Sequence, residues 1–212
     1  MMQHHNTIRP ACLILFIASW WPINSYASDD YKQLCEKAQA ATQTIPAMEK
    51  LRSAAEDDVT YAEFCMGYLS TTGKASVTQN HARAADWLRQ AARKGLSGAQ
   101  YNLGVLYAKG RGVPKNNEMA AYWYRRAAEQ NDPQAQYLLS LFYALGRGVP
   151  RDYVVAMKWY TLSIVGVVSV KQNKKVFNII ARQMSPADRS EALARAEVWS
   201  QTHFPVDFES AQ

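Results

Sequence analysis

The strongest constraint on the fold is an internal repeat with a period of 36 residues. The stretch Ala99–Ala128 returns as Ala135–Ile164, with Ala-Gln-Tyr, a single tyrosine (Tyr107, then Tyr143), Gly-Arg-Gly-Val-Pro and Trp-Tyr in the same order. A fixed period of about 20 to 50 residues is typical of a chain in which one supersecondary unit is copied and stacked. The repeat therefore predicts a stack of similar units, none of which can bury its apolar face alone.

Each unit is predicted to contain two amphipathic helices joined by a fixed turn. Apolar residues follow the helical spacing i, i+3, i+4 and i+7 in both halves of the unit. In the middle unit these are Ala99, Leu103, Leu106 and Tyr107, then Ala120, Trp123, Tyr124, Ala127 and Ala128. Between the halves, Gly110 suits the left-handed end of a helix, Pro114 prevents its continuation, and Asn116 can cap the next helix. Asp152 takes the capping place of Asn116 in the following unit.

A third, less regular copy lies upstream. Its second helix, Ala84–Ala92, precedes Ala120–Ala128 by 36 residues, whereas its first helix, from Ala62 onward, precedes its counterpart by 37. The loop Lys74–Asn80 is predicted to absorb the extra residue, because loop length costs little free energy.

These residues resemble the Sel-one-like repeat family, a branch of the tetratricopeptide-type helical solenoids. The family unit reads A-x-Y-x-L-G-x-L-Y-x-x-G-x-G-V-P followed by A-x-x-W-Y-x-x-A-A, and two copies carry nearly every position. The resemblance covers about half of the chain and implies an all-α, right-handed superhelical solenoid of antiparallel helix pairs. It implies three repeats, at 59–94, 95–131 and 132–166. The chain departs from the pattern at Ser140, which replaces the first-helix glycine, and in the upstream loop, which lacks Gly-Val-Pro.

The first 27 residues have the pattern of a cleaved secretory signal. A weakly basic start precedes the apolar core Ala11–Ile23 and the small-residue motif Ser25-Tyr26-Ala27. A membrane anchor is the alternative, but Pro22 and Asn24 end the apolar run short of the roughly 20 residues needed. Cleavage after Ala27 would leave a periplasmic or secreted chain without an integral membrane span. Its net charge would be +5, from 23 basic and 18 acidic residues.

Residues 28–58 are predicted to form a degenerate opening repeat, with helices Tyr31–Gln43 and Ala47–Glu56, since the terminal units of solenoids are atypical. Cys35 and Cys65 are the only cysteines after the signal, and they fall on the first helices of successive units. An oxidising compartment would permit a disulfide between them. The alternative is a pair of buried free thiols that pack as small apolar residues.

Two capping helices are predicted in 167–204. The first spans Val167–Gln183, and the second begins at Ser185-Pro186, where serine caps the helix and proline suits its first turn. The inner stripe of the second helix is predicted to be Leu193, Ala196 and Trp199. Residues 205–212 have little periodicity and are predicted to be a loose tail.

The sequence contains few residues or motifs that indicate an active site. After the signal the chain has two histidines, His81 and His203, and it has no His-Glu-x-x-His, Cys-x-x-Cys, phosphate loop or nucleophile elbow. We therefore expect no enzyme activity, cofactor or metal. The runner-up, a cell-wall-active hydrolase or β-lactam-binding protein, comes only from secreted relatives with a cysteine pair in each repeat. The three repeats here contain one cysteine, Cys65.

Basic residues concentrate near the repeat loops and just after the third repeat. They are Lys109, Arg111, Lys115, Arg147, Arg151, Lys171, Lys174 and Lys175. Because Arg111 and Arg147 occupy the same repeat position, stacked units would place them roughly 10 Å apart. Such an edge could face an acidic surface, or it could be a solvated column that maintains solubility. No base-stacking arrangement accompanies it, so we do not expect nucleic acid as a partner.

The sequence thus favours a monomeric exported scaffold that binds a protein or peptide in the cell envelope, as the resemblance also implies. The residues left on the first helices after core assignment are predicted to face a concave groove or a neighbour. They are Glu63, Tyr68, Thr72, Gln100, Asn102, Val105, Lys109, Gln136, Leu138, Leu141 and Leu145. The predicted partner-binding groove consists of Tyr68, Asn102, Val105, Lys109, Leu138 and Leu141. Alternatively, the capping helices cover the leucines of this set.

Overall fold

The computed structural model describes residues 33–38, 44–75, 77–165 and 170–203, and all regular structure in them is helical. The helices are α1 (residues 33–38), α2 (Thr44–Glu56), α3 (Thr60–Thr72), α4 (His81–Arg93), α5 (Ser97–Lys109), α6 (Asn117–Ala128), α7 (Pro133–Leu145), α8 (Tyr153–Val165), α9 (Val170–Ala181) and α10 (Pro186–His203). None of the described helices is long and apolar enough to cross a membrane. The predicted signal with its cut after Ala27 and the predicted tail 205–212 lie outside the described residues.

The helices stack as the repeat predicts. The pairs α3–α4, α5–α6 and α7–α8 each pack closely, and α4 contacts α5 as α6 contacts α7. The first helix α3 also contacts α5, so the first helices of the first two repeats lie side by side. At the two ends, α2 packs on α3, whereas α9 and α10 pack on α8. The predicted all-α solenoid of helix pairs is confirmed.

The turn inside each pair has the predicted chemistry. Each first helix ends at a glycine with φ of 68°, 67° or 66°, namely Gly73, Gly110 and Gly146. Each second helix has a side-chain cap that accepts a 2.9 Å hydrogen bond from a backbone N–H three residues later, namely Asn80, Asn116 and Asp152. The turn spans eight residues in the first repeat, 73–80, and seven in the second, 110–116. The extra residue therefore lies in the predicted loop.

Two loop glycines connect successive repeats. A Cβ atom on Gly112 would lie 2.1 Å from backbone atoms of His81, and one on Gly148 would lie 2.3 Å from backbone atoms of Asn117. The loops of the second and third repeats thus rest directly on the first turn of the second helix of the preceding repeat. Both glycines also have positive φ, 71° and 66°, which L side chains rarely adopt. These two positions require glycine for both reasons.

Small residues let the paired helices approach closely. A Cβ atom on Gly104 would lie 2.7 Å from the ring of Tyr124, which is 2% exposed. At the equivalent place in the next repeat, Ser140 is buried and its hydroxyl donates to the carbonyl of Tyr137 at 2.8 Å. The serine is accommodated because this hydrogen bond satisfies its only polar group.

The capping helices close the α7–α8 end of the stack. As predicted, the Ser185 hydroxyl caps α10 by accepting from the backbone N–H of Asp188 at 3.2 Å. The predicted inner stripe of α10 is wrong at Leu193, which is 53% exposed, whereas Ala192 is fully buried. Ala192 joins the apolar cluster shared by α8 and α9, and a small side chain there permits close packing. The larger leucine faces outward.

Candidate partner-binding surface

The first helices share one outward row of partly exposed residues, here called the first-helix stripe. These positions recur at helical spacing along α3, α5 and α7. The stripe consists of Tyr61, Phe64, Tyr68, Tyr101, Val105, Tyr137 and Leu141. Five of its seven members are aromatic, so it offers apolar area with polar hydroxyl ends.

The stripe is continuous from α3 to α5. The ring centroid of Phe64 lies 5.5 Å from that of Tyr61, edge to face, and 6.5 Å from that of Tyr68. A Cβ atom on Gly98 of α5 would lie 3.3 Å from the Phe64 ring. Backbone of α5 therefore packs directly against Phe64, and the two helices form one surface.

The structure distributes the predicted groove residues between the stripe and its border. Val105 and Leu138 pack against the same apolar cluster, which includes Tyr124 and Phe142, whereas Tyr68 packs against the cluster of the opening helices. The Asn102 amide donates to the carbonyl of Gly98 at 2.7 Å, within its own helix. Exposed Lys109 lies in the last turn of α5.

Sequence reasoning missed four of the seven stripe members, Tyr61 among them, and three residues that it predicted to face the groove or a neighbour are buried instead. Phe64, Tyr101 and Tyr137 share one repeat position, and the recurring aromatic in Ala-x-Tyr was a signal that could have identified them. Glu63, Gln100 and Gln136, predicted to face the groove or a neighbour, are fully buried between helices. They precede the aromatic by one residue, which turns them toward the second helix.

The three buried polar side chains hold the ends of the helix pairs together. The Gln100 amide donates to the carbonyl of Ala92 at 3.1 Å, and its oxygen accepts from Gln130 at 2.7 Å. Gln136 repeats the first contact with the carbonyl of Ala128 at 3.2 Å. Buried polar groups are stable when hydrogen-bonded in this way, so this position fixes how each first helix meets the preceding second helix.

The first repeat has an ion pair at this position. Lys94 Nζ lies 2.9 Å from the carboxylate of buried Glu63 and 2.6 Å from that of exposed Asp58. The hydrogen bond from Lys94, together with its charge, lowers the pKa of Asp58. Burial by itself would lower the pKa of Lys94. The hydrogen bonds to Asp58 and Glu63, combined with the charges of these two groups, have the larger effect, so the pKa of Lys94 is raised. Asp58 and Lys94 are therefore both charged at neutral pH.

The capping helices reach the leucines of α7. Leu141 packs against the cluster that contains Val176 and Ile180 of α9. Leu138 packs against the cluster that contains Trp199 of α10. Leu145 lines a cavity of about 600 Å³ together with Ile179 of α9. The stripe is thus bordered by α9 at its α7 end, and over α3 and α5 its members stay partly exposed within the described part of the chain.

The loop cations are available for interaction. The side chains of Lys109, Arg111, Lys115, Arg147 and Arg151 are exposed. None of them forms an ion pair with a residue in the described part of the chain. The side chains of the three lysines at 171, 174 and 175 are not described. The five cations form a basic edge at the carboxyl ends of α5 and α7.

Cys35 and Cys65 are joined by a disulfide, with their Cα atoms 5.9 Å apart. This distance lies in the range that a disulfide requires. Both residues are buried, in the cluster formed by α1, α2 and α3. The bond attaches the opening helix α1 to the first repeat.

The described residues hold no group of three or more His, Cys, Asp or Glu side chains that could bind a metal. His203 stacks on Trp199, with ring centroids 4.3 Å apart, and its Nδ1 lies 3.0 Å from the carbonyl of Trp199. His81 begins α4, beneath the backbone of Gly112. The Nδ1 atom of His81 is buried and has no hydrogen-bond partner among the described residues.

The repeats are similar to a known family model, that of the Sel1 repeat, which matches residues 60–96, 97–132 and 133–164. No curated protein sequence matches the chain.

Similar solved structures include the following two. A Sel1 repeat protein from Oxalobacter formigenes is 37% identical, with a TM-score of 0.54, and the match covers 61% of this chain and 96% of that one. The protein c5321, a protective antigen present in uropathogenic Escherichia coli strains and displaying an SLR fold, is 25% identical with a TM-score of 0.56. That match covers 84% of this chain and 46% of c5321, so the present chain spans about half of that protein.

Proposed function

This chain belongs to the Sel1 repeat proteins, and on that premise we propose that it is an exported, monomeric scaffold that binds a partner polypeptide along its first-helix stripe. Sel1 repeats indicate a protein–protein interaction scaffold. The observation that carries the proposal is the stripe itself, in which aromatic and aliphatic side chains remain partly exposed over adjacent helices. Contiguous apolar surface of this kind marks interaction sites.

The chemistry of the surface favours one kind of partner. The aromatic part of the stripe suits the apolar face of an amphipathic helix or an extended segment. The basic edge at the carboxyl ends of α5 and α7 suits acidic residues that follow that apolar face. The partner is therefore an amphipathic segment with acidic residues at one end.

Affinity capture tests this proposal. Val105→Arg places a charge in the middle of the stripe and should abolish capture of the partner from envelope extract. Tyr122→Arg is the matched control, because Tyr122 is 46% exposed on the second helix α6, away from the stripe. Both variants should keep the wild-type helicity and melting temperature. Retained binding by Val105→Arg, or equal loss in both variants, would contradict the proposal.

Export is supported by the signal-like start of the sequence and by the buried Cys35–Cys65 disulfide, since disulfides persist in oxidising compartments. Mass spectrometry of the protein from the cell envelope should find a chain that begins at Ser28. An intact terminus at Met1 or Met2 would defeat the assignment.

Sel1 repeats are generally a non-catalytic scaffold fold, and the proposal assigns the chain no reaction. The alternative class, a hydrolase or β-lactam-binding protein, makes a distinct prediction. A reporter β-lactam incubated with the protein should give neither a covalent adduct nor turnover. Either product would replace the scaffold proposal.

A further inference from the structure

One tyrosine of the repeat unit is missing from the first repeat, and its place can be located without ambiguity. The backbone N–H of each second-helix cap donates to one carbonyl of the first helix. The donor–acceptor pairs are Asn116 with Tyr107 at 3.0 Å, Asp152 with Tyr143 at 3.1 Å, and Asn80 with Ser70 at 2.9 Å. Ser70 therefore occupies the tyrosine position of the first repeat.

In the other repeats this tyrosine has an arginine partner on the preceding second helix. Arg125 Nη2 donates to the hydroxyl of Tyr143 at 2.5 Å, and the guanidinium lies 5.9 Å from the ring centroid. Arg89, at the same position one repeat earlier, is partly desolvated, which lowers its pKa, but hydrogen bonds with Asp86 and Tyr107 more than compensate. The pairing of arginine with tyrosine thus recurs.

The first repeat keeps the arginine but lacks the tyrosine. Arg52 of α2 precedes Arg89 by 37 residues, the offset that relates Ser70 to Tyr107. Within the described part of the chain, the Arg52 side chain takes part in no hydrogen bond or ion pair. Glu49 precedes Arg52 by three residues, as Asp86 precedes Arg89, but the close contact of 2.7 Å is found only in the latter pair.

A cavity of about 590 Å³ lies where the missing tyrosine would pack. Its lining includes Ser70, Arg52, Met66 and Trp87. Ser70 is 1% exposed and Met66 is 5% exposed, so the inner wall is part of the protein interior. The volume falls within the range of about 300–1,000 Å³ that is usual for ligand sites. Met66 and Trp87 supply an apolar wall, Arg52 and Arg83 supply charged donors, and Glu49 and Glu56 place carboxylates on the rest of the lining.

We infer that this cavity, here called the tyrosine cavity, binds the side chain of a tyrosine from a partner polypeptide. The phenol ring packs against Met66 and Trp87, and its hydroxyl accepts a hydrogen bond from Arg52, as Tyr143 accepts from Arg125. The polypeptide source of the tyrosine rests on the proposed scaffold function. The cavity itself is a second site, because Ser70 lies two residues from Tyr68 and hence on the opposite face of α3.

The experiment uses p-cresol, the side-chain analogue of tyrosine, and follows the indole N–H resonance of Trp87 in the full chain. p-Cresol should shift this resonance at millimolar concentration, and toluene should bind about tenfold more weakly because it cannot accept from Arg52. Arg52→Gln should weaken p-cresol binding by a similar factor. Arg89→Gln is the matched control and should leave binding unchanged, since Arg89 already has its tyrosine. Equal binding of p-cresol and toluene, or no shift at all, would overturn the inference.

A second set of variants fills the cavity from inside. Ser70→Tyr should abolish the p-cresol response and raise the melting temperature, and Ser70→Phe should abolish the response through the same ring without the hydroxyl. A retained response in a folded variant would overturn the inference.

Acetylated Gly-Gly-Tyr-Gly-Gly amide should shift the same resonance, whereas the phenylalanine analogue should bind about tenfold more weakly. A response to p-cresol without a response to the tyrosine peptide would overturn the polypeptide source and assign the cavity to a free phenol.

The stripe proposal and the cavity proposal can be refuted independently of each other. Val105→Arg alters the first-helix stripe and should not change the p-cresol response. Conversely, Ser70→Tyr should leave the stripe intact. Loss of the p-cresol response in Val105→Arg would contradict the independence of the two sites.

Discussion

Lys94→Gln tests whether the ion pair of the first repeat replaces the Gln100–Gln130 hydrogen bond of the second repeat. Lys94 Nζ contacts Glu63 at 2.9 Å and both the side chain and the carbonyl of Asp58. Glu63 is fully buried, so the variant leaves a buried carboxylate without a cation. Breaking a buried pair from one side costs about 3–5 kcal/mol. Because Lys94 itself is 29% exposed, we expect a loss near the lower limit, about 3 kcal/mol.

The second repeat provides the control. There Gln130 donates to Gln100 at 2.7 Å, at the positions equivalent to Lys94 and Glu63. The double variant Glu63→Gln/Lys94→Gln reproduces that neutral pair and should unfold within about 1 kcal/mol of the wild type, the net contribution of an ordinary hydrogen bond. The double variant should therefore be more stable than the single variant by about 2 kcal/mol.

Urea unfolding followed by circular dichroism at pH 7 measures these differences. The pH dependence provides a second readout, because the Lys94 hydrogen bond lowers the pKa of Asp58 in the folded state. Because the pKa of Asp58 is lower in the folded than in the unfolded state, its ionised form stabilises the fold at pH values above the unfolded-state pKa, near 4. This stabilisation is lost as the pH falls through the folded-state pKa. Lys94→Gln should remove this acid-dependent component. If Lys94→Gln costs less than 1 kcal/mol, or if the double variant is no more stable than the single variant, the reasoning fails.

Three further predictions concern stability. Cys35→Ala should lower the free energy of unfolding by about 3.5 kcal/mol, the loop-entropy value for the 30-residue separation of Cys35 and Cys65; an unchanged urea midpoint would contradict it. Gly148→Ala should cost about 3 kcal/mol or more, because its Cβ atom would overlap backbone of Asn117. Gly146→Ala, with similar φ but its nearest neighbour at 3.5 Å, should cost about 1 kcal/mol; equal melting temperatures of the two variants would refute the backbone contact. Burial raises the pKa of Tyr124, so the folded state keeps the proton that the unfolded chain releases near pH 10, and the melting temperature should fall as the pH rises above that value. A melting temperature that is constant from pH 9 to 11 would contradict this last prediction.

The repeat unit could be predicted from the sequence because its determinants are local. Gly110, Pro114 and Asn116 specify the end of one helix and the start of the next through their own backbone and side-chain chemistry. The apolar spacing of residues such as Leu103 and Tyr124 identifies the core, and both are buried in the structure. The period of 36 residues extends these local assignments to every copy, since each unit meets its neighbours in the same way.

The binding surfaces depended on contacts that local spacing does not encode. The sequence analysis assigned Tyr101 to neither the core nor the groove, because the packing of α3 against α5 decides which side of a first helix stays partly exposed. Leu193 faces outward because α10 packs on α8 through the smaller Ala192, and the approach of two helices depends on both surfaces. The Ser70 substitution is visible in the sequence, but the cavity beside it and the unpaired Arg52 arise from the meeting of α2, α3 and α4. The sequence by itself therefore determined the unit and its stacking, whereas the tertiary structure decided which surfaces the stacked units leave open to a partner.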